Sequence, residues 1–335
     1  MKKTLIALVL LLAVGLAACT ADTQPQSAPA EESPSNLEEV TLVLDYVPNT
    51  NHTGFYVALE KGYFIEEGLN VEIIEPADGA VTALIAAGQG DFGISYQEDV
   101  TYARTAAEPL PIRAIAAIIQ HNTSGFATYK EKNITSPAQF EGKVYAGWGS
   151  PSEEAVIEAV MTADGGDFSK LSVITSDGSG YAALTDKVDI MWFFWAWDGI
   201  ASQRDGIDVN YIELRQFDER LDYYTPVIIA NEDTLENRGD LTERFLRAAA
   251  AGYEFSIENP EEAAEILYGF VPEYDLEMLV ESQQYLAEKY QEDAPQWGIM
   301  QEEVWTNYSQ FMVEYGLIEA DIPAAECYTN EFLPE

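Results

Sequence analysis

Five short stretches concentrate the side chains that could hold or transform a small molecule. The first is Asp45-Tyr46-Val47-Pro48-Asn49-Thr50-Asn51-His52-Thr53-Gly54, which sets an acid, a phenol, two amides and a histidine between a β-branched run and a helical pattern. In an open α/β sheet, loops beyond the carboxyl ends of strands line the ligand crevice. An Asx-rich turn with Asn51 or Thr53 capping the helix explains the same residues equally well. The second stretch, residues 91–99, offers Ser95, Tyr96 and Gln97 where a strand runs into a helix, with Phe92 and Ile94 as core. The third, Gly147-Trp148-Gly149-Ser150-Pro151-Ser152-Glu153-Glu154, has Ser150 and Glu153 at capping-box spacing. A tryptophan between glycines in a turn suits a stacking wall better than a core. The fourth, Met191-Trp192-Phe193-Phe194-Trp195-Ala196-Trp197-Asp198-Gly199, holds more aromatic surface than one strand buries and ends in a carboxylate. The fifth, Leu221-Asp222-Tyr223-Tyr224-Thr225-Pro226, adds Tyr223.

Aromatic faces beside a carboxylate suit a flat nitrogen heterocycle, which stacks on rings and donates from an amino group. On this reading Tyr46, Trp148 and Trp195 stack on the ring. Asn49, His52 and Asp198 bond in its plane, with Asp45, Ser95, Tyr96, Gly149, Ser150, Phe194 and Tyr223 completing the wall. Other chemistries find little support. His52 and His121 are the only histidines, and no Gly-x-Ser-x-Gly elbow accompanies them. Their spacing is not diagnostic of a metal site, and two cysteines exclude a cysteine-based structural zinc. P-loop and dinucleotide fingerprints are both missing, so phosphate binding at the Gly-Ser loop is the weaker reading, and no cofactor is expected. With 17 basic against 58 acidic residues, the net charge of −41 repels nucleic acid and anionic lipid alike.

The elements that must position these loops alternate. Residues 40–44, 71–74, 92–95, 112–119, 125–129, 143–147, 172–175, 189–194 and 226–230 read as strands, with helical patterns at 54–61, 80–87 and 153–163. Such alternation predicts an α/β fold with a mainly parallel sheet. After Asn231 the chain turns helical. Two lobes are expected, the first built from residues 39–127 and 228–335 and the second, residues 128–227, inserted into it. The crossings then fall near 127–129 and 226–230, and the C-terminal helices pack back on the first lobe. A cleft between two such lobes is a natural small-molecule site.

The N-terminus reads as a secretory signal, residues 1–18. Lys2 and Lys3 precede an apolar stretch too short for a permanent span, which ends in Leu16-Ala17-Ala18-Cys19. This ending resembles the lipobox of bacterial lipoproteins, which implies lipidation of Cys19. Residues 19–38 then form a flexible Pro/Ser/Glu-rich tether. Cys327 is left as a free, partly buried thiol.

Val43-Leu44-Asp45-Tyr46-Val47-Pro48-Asn49-Thr50-Asn51-His52-Thr53-Gly54-Phe55-Tyr56-Val57-Ala58, followed by Lys61-Gly62-Tyr63-Phe64 and Glu67-Gly68-Leu69, resembles substrate-binding proteins of ABC importers for thiamine pyrimidine precursors, relatives of the fungal pyrimidine synthases. Gly90-Asp91-Phe92-Gly93-Ile94-Ser95-Tyr96 and Gly147-Trp148-Gly149-Ser150 extend the likeness over nearly all of the chain after residue 40. The resemblance implies a two-lobed, type II periplasmic-binding-protein fold that closes on a heterocycle and delivers it to a membrane permease. It implies a lipid-anchored, extracytoplasmic monomer and no catalysis. Relatives that carry other flat rings make riboflavin the alternative ligand. Two further readings are a pyrimidine synthase using His52 as substrate donor, whose cysteine-rich motif is missing here, and a purely structural surface lipoprotein. Many relatives have tryptophan in place of Tyr46, and a Trp-Glu pair in place of Trp197-Asp198.

Overall fold

The strands sort into two five-stranded sheets. They are seen in a computed structural model that describes residues 37–76 and 81–334. The stretch expected to be a signal sequence, Cys19 and nearly all of the expected tether lie outside the described residues. In chain order the strands are β1 (Glu38–Val43), β2 (Leu69–Ile74), β3 (Phe92–Ser95), β4 (Ile112–Ala117), β5 (Ser124–Tyr129), β6 (Val144–Gly147), β7 (Ser172–Thr175), β8 (Ile190–Phe194), β9 (Val209–Glu213) and β10 (Val227–Asn231). The first sheet runs β2-β1-β3-β10-β4 and the second β7-β6-β8-β5-β9.

Both sheets follow one plan. β1 is parallel to β2 and β3, and β6 is parallel to β7 and β8. The strand nearest each passage between sheets enters antiparallel: β10 against β3 and β4, and β5 against β8 and β9. This is the expected α/β architecture of two lobes, and β10 follows the second sheet in sequence but lies in the first. The passages sit at residues 118–123 and 222–226, because β5 lies wholly in the second sheet and β10 wholly in the first. The first passage is therefore a few residues earlier than 127–129. The passages run side by side: the Ile118 N–H donates to the Pro226 carbonyl, and the Asn122 amide donates to the Leu221 carbonyl.

Burial explains the strand patterns. Leu42, Leu44, Phe92, Ile94, Ile115, Ile228 and Ala230 form the first core with Phe245 and Tyr253 of helix Gly239–Glu258. Phe245 stacks on Phe92 with 4.0 Å between ring centres. Gly54 and Gly252 let helices Thr53–Glu60 and Gly239–Glu258 touch: a Cβ on Gly252 would strike the Gly54 carbonyl, and one on Gly54 the Tyr253 ring. The glycine of the Asn-His-Thr-Gly motif therefore has a packing reason.

One helix departs from expectation. Glu302–Glu314 does not pack on the first lobe alone. Its Trp305 joins Val43, Tyr224 and Ile229, while Tyr308, Phe311 and Met312 complete the second lobe's core with Phe126, Tyr145 and Trp192. Periodicity marks an amphipathic helix but not two separate customers for its faces. Cys327 is fully buried, and burial pushes its thiol up to about 12. Among the described residues no helix is long and apolar enough to cross a membrane.

Candidate functional site

The first four loops picked out by residue type all lie beyond the carboxyl ends of parallel strands: after β1 and β3 in the first lobe, after β6 and β8 in the second. That placement is the ligand crevice of an open α/β sheet.

After β1, a single turn at Thr50–His52 is capped by Asn49, whose Oδ1 accepts the Asn51 N–H at 2.9 Å. His52 takes the reciprocal role, its Nδ1 accepting the Asn49 N–H at 3.2 Å. The proton therefore sits on Nε2, which donates to Asp45 Oδ1 at 2.7 Å. Asp45 Oδ2 accepts the Tyr96 hydroxyl at 2.5 Å, tying this loop to the one after β3. Burial pushes the Asp45 carboxyl up, but the hydrogen bonds from His52 and Tyr96 outweigh it and hold the group below its ordinary range. Burial, and then the Asp45 charge, push the Tyr96 phenol well up, so it stays a donor.

This arrangement corrects the roles expected of two residues. His52 is 0 % exposed with both ring nitrogens engaged, and the Asn49 amide is bonded to Asn51 and Val47. His52 presents no free in-plane partner and positions Asp45, while Asn49 caps the turn and holds the His52 ring through its own N–H. Tyr46, by contrast, is 60 % exposed.

The loop after β3 is anchored by Gln97, whose side chain bonds the Tyr224 N–H and the Val304 carbonyl. Ser95 is buried beneath it. Glu98, which residue type alone did not single out, accepts the Ser152 hydroxyl of the second lobe at 2.6 Å and the Tyr308 hydroxyl at 3.2 Å. Burial pushes the Glu98 carboxyl up to about 7. Tyr223 is not on a cleft wall: it is buried and stacked on Tyr308 at 4.2 Å.

After β6, Trp148 is 56 % exposed and leans on Trp192, 5.3 Å between ring centres. Gly149 takes the left-handed conformation (φ +85°) that favours glycine. The amides of Trp148, Gly149 and Ser150 all turn onto Glu153.

After β8 the chain forms one π-helical turn, Trp195–Gly199, a distortion often found at functional sites. The aromatic run is thereby divided. Trp192 is core, Trp195 tilts against Tyr211 (4.7 Å), and Trp197 meets Tyr274 edge-on (5.1 Å). Phe194 packs half-buried against the second core, and its N–H donates to Asp198 Oδ2 at 3.1 Å. Burial pushes the Asp198 carboxyl up to about 6, against the backbone N–H groups of Phe194 and its own residue. The Trp192 Nε1 is buried without an acceptor among the described residues.

Two bridges join the lobes across these loops. One is Glu98–Ser152, extended to the Ser150 hydroxyl at 2.7 Å. In the other, Thr50 Oγ1 meets Ser282 Oγ at 2.6 Å, and Ser282 donates to the Ala196 carbonyl at 2.5 Å. Two surface hollows, of about 380 Å³ and about 320 Å³, lie elsewhere; one is lined by Tyr63, Arg247 and Phe255, the other by Thr306, Asp321 and Pro323. Among the described residues no three of His, Cys, Asp or Glu are grouped to hold a metal.

Comparison with known proteins agrees with this layout. The chain is 28 % identical to the formylaminopyrimidine-binding protein of Halalkalibacterium halodurans, over 98 % of this chain and 99 % of that one. It is 25 % identical to the riboflavin-binding protein RibY of Chloroflexus aurantiacus, over 100 % and 99 %. Identity to the 4-amino-5-hydroxymethyl-2-methylpyrimidine phosphate synthase of Legionella pneumophila is 24 %, over 88 % and 92 %. Among solved structures, the alkanesulfonate-binding protein SsuA of Xanthomonas axonopodis pv. citri superposes with a TM-score of 0.67 at 11 % identity, over 88 % of this chain and 99 % of that one. The fold is that of two-lobed periplasmic binding proteins. Residues 49–263, more than half of the chain, match the family described as NMT1/THI5 like, and the protein belongs to that family.

Proposed function

We propose that this protein is the extracytoplasmic solute-binding component of an ABC importer, anchored through a lipidated Cys19, and that it carries an aminopyrimidine precursor of thiamine, of the formylaminopyrimidine or hydroxymethylpyrimidine type. The observation that carries the reading is Asp198. It is a largely buried carboxylate at the carboxyl end of β8, flanked by Trp195 and Trp197, with only backbone N–H partners. A buried carboxylate with lone pairs to spare calls for a donor, and an exocyclic amino group on a ring stacked against tryptophan is such a donor.

Binding rather than synthesis is supported by His52, which is buried with both ring nitrogens hydrogen-bonded, to the Asn49 N–H and to Asp45. The full-length likeness to a riboflavin-binding protein favours a second reading, a flavin ligand. Mass spectrometry of small molecules released from the purified, denatured protein separates the two: an aminopyrimidine is expected, and riboflavin would replace the first reading by the second. Cys19→Ser is expected to leave a soluble or unprocessed form, since the thioether to the two-chain lipid anchor cannot form. Fractionation that finds the wild type unlipidated in the medium would refute the anchor.

A further inference from the structure

The turn after β6 carries an anion of its own. Glu153 is 1 % exposed, and its Oε1 accepts the Tyr145 hydroxyl at 2.5 Å and the Trp148 N–H at 3.1 Å. Its Oε2 accepts the Gly149 N–H at 2.5 Å and the Ser150 N–H at 2.9 Å. Consecutive amides converging at a helix N-terminus form the concavity that binds phosphate elsewhere, with the helix dipole assisting. Here the anion belongs to the first turn of helix Pro151–Ala163 itself. Gly147 is shaped around it, since a Cβ there would overlap the Glu153 carboxylate and the Tyr145 hydroxyl. The neighbouring hydroxyls are committed too, Ser150 to Ser152 and Ser152 to Glu98.

We propose that Glu153 is a specificity-determining residue: it fills the loop's anion nest from within, so the cleft accepts the pyrimidine as a neutral alcohol or amide and turns away its phosphate ester. The proposal rests on the pyrimidine reading for the ring; the filling of the nest is independent of it. A phosphate brought to this turn meets amides already bonded and a fixed carboxylate in the position it would need. Glu153 does not touch the ring, and its effect is confined to the ligand's charge.

The test uses the whole chain and two probes. In calorimetric titration, the wild type is expected to favour 4-amino-5-hydroxymethyl-2-methylpyrimidine over its phosphate ester by about tenfold or more, a preference that shrinks in Glu153→Gln. Inorganic phosphate, followed through the ¹⁵N–¹H shifts of Trp148, Gly149 and Ser150, needs no pyrimidine. Glu153→Ala is expected to show saturable shifts that the wild type lacks. Should Glu153→Ala lose its fold by circular dichroism, Glu153→Gln carries the phosphate titration. Equal affinity of the wild type for alcohol and ester overturns the proposal, as do equal phosphate shifts in wild type and variant. If neither pyrimidine binds while the phosphate contrast holds, the pyrimidine reading falls and the assignment of Glu153 stands.

Discussion

Asp45 and Asp198 each stand beyond the carboxyl end of a strand in the parallel part of a sheet, one in each lobe, and both are largely withdrawn from solvent. Their surroundings differ. Asp45 receives an imidazole N–H and a phenol, and its carboxyl lies below the ordinary range. Asp198 receives backbone amides only and is pushed up to about 6. A carboxylate whose lone pairs the chain itself satisfies is part of the scaffold; one left undersupplied is available to a ligand. Residue type alone cannot tell these apart, because both are aspartates in aromatic, strand-end loops.

The largest effect that could break this comparison is on stability. Asp45→Asn keeps one acceptor oxygen but turns an NH2 onto either the His52 N–H or the Tyr96 hydroxyl, and losing a hydrogen bond to a charged group costs about 1.5–3 kcal/mol. Chemical denaturation is expected to show that loss, whereas Asp198→Asn removes a poorly solvated carboxylate and leaves the midpoint equal or higher. A destabilised Asp198→Asn beside an unaffected Asp45→Asn would reverse the assignment.

Glu98 sharpens the contrast at the bridge between lobes. Its carboxyl is raised from an unfolded value near 4.5 to about 7, so the folded protein binds the extra proton between those values. Its contribution is full below the unfolded value and is lost as pH rises toward 7. Glu98→Gln is expected to flatten the decline in stability across that window in pH-dependent denaturation; an unchanged slope would place the titration elsewhere.

A smaller effect is expected at the passages, where Asp222 is satisfied in the manner of Asp45. It accepts His121 Nδ1 at 2.6 Å and the Asn122 N–H at 2.9 Å, while His121 Nε2 reaches Asp293 at 3.0 Å. Arg215 and Glu292 also face the cluster. The Asp222 hydrogen bond, against burial and with help from Asp293, raises His121 from its ordinary 6.5 to about 9. This contribution is complete below 6.5 and disappears as pH climbs through about 9. His121→Gln is expected to remove that alkaline decline. The half-exposed setting of His121 makes the change modest, and salt should weaken it further.

Local pattern carried much of the fold. The apolar run read at 40–44 overlaps β1, which starts two residues earlier at Glu38, an end that pairs with Arg238 and Arg244, and stops one residue short of Leu44. The Ser150–Glu153 spacing indicates a capping box, and the box is present. Spacing does not show that Trp148 and Gly149 amides turn onto the same carboxylate, which depends on the left-handed Gly149. Nor could local pattern join Glu98 to Ser152, 54 residues away, or divide helix Glu302–Glu314 between two cores. His52 misled for a related reason. A histidine in a strand-end loop looks like a ligand donor until its cap partner and Asp45 are seen to use both nitrogens.

The most direct test of the account is calorimetric titration of the wild type and Asp198→Asn with a formylaminopyrimidine and with riboflavin, on either side of the Asp198 titration. Hydrogen bonds to a charged group contribute about 1.5–3 kcal/mol, so Asp198→Asn should weaken the pyrimidine roughly ten- to a hundred-fold. Wild-type affinity for it should fall as pH drops below about 6 and the carboxylate is lost, and this dependence should vanish in the variant. Unchanged pyrimidine affinity in a folded Asp198→Asn, or wild-type binding of riboflavin in preference to the pyrimidine, would contradict the account.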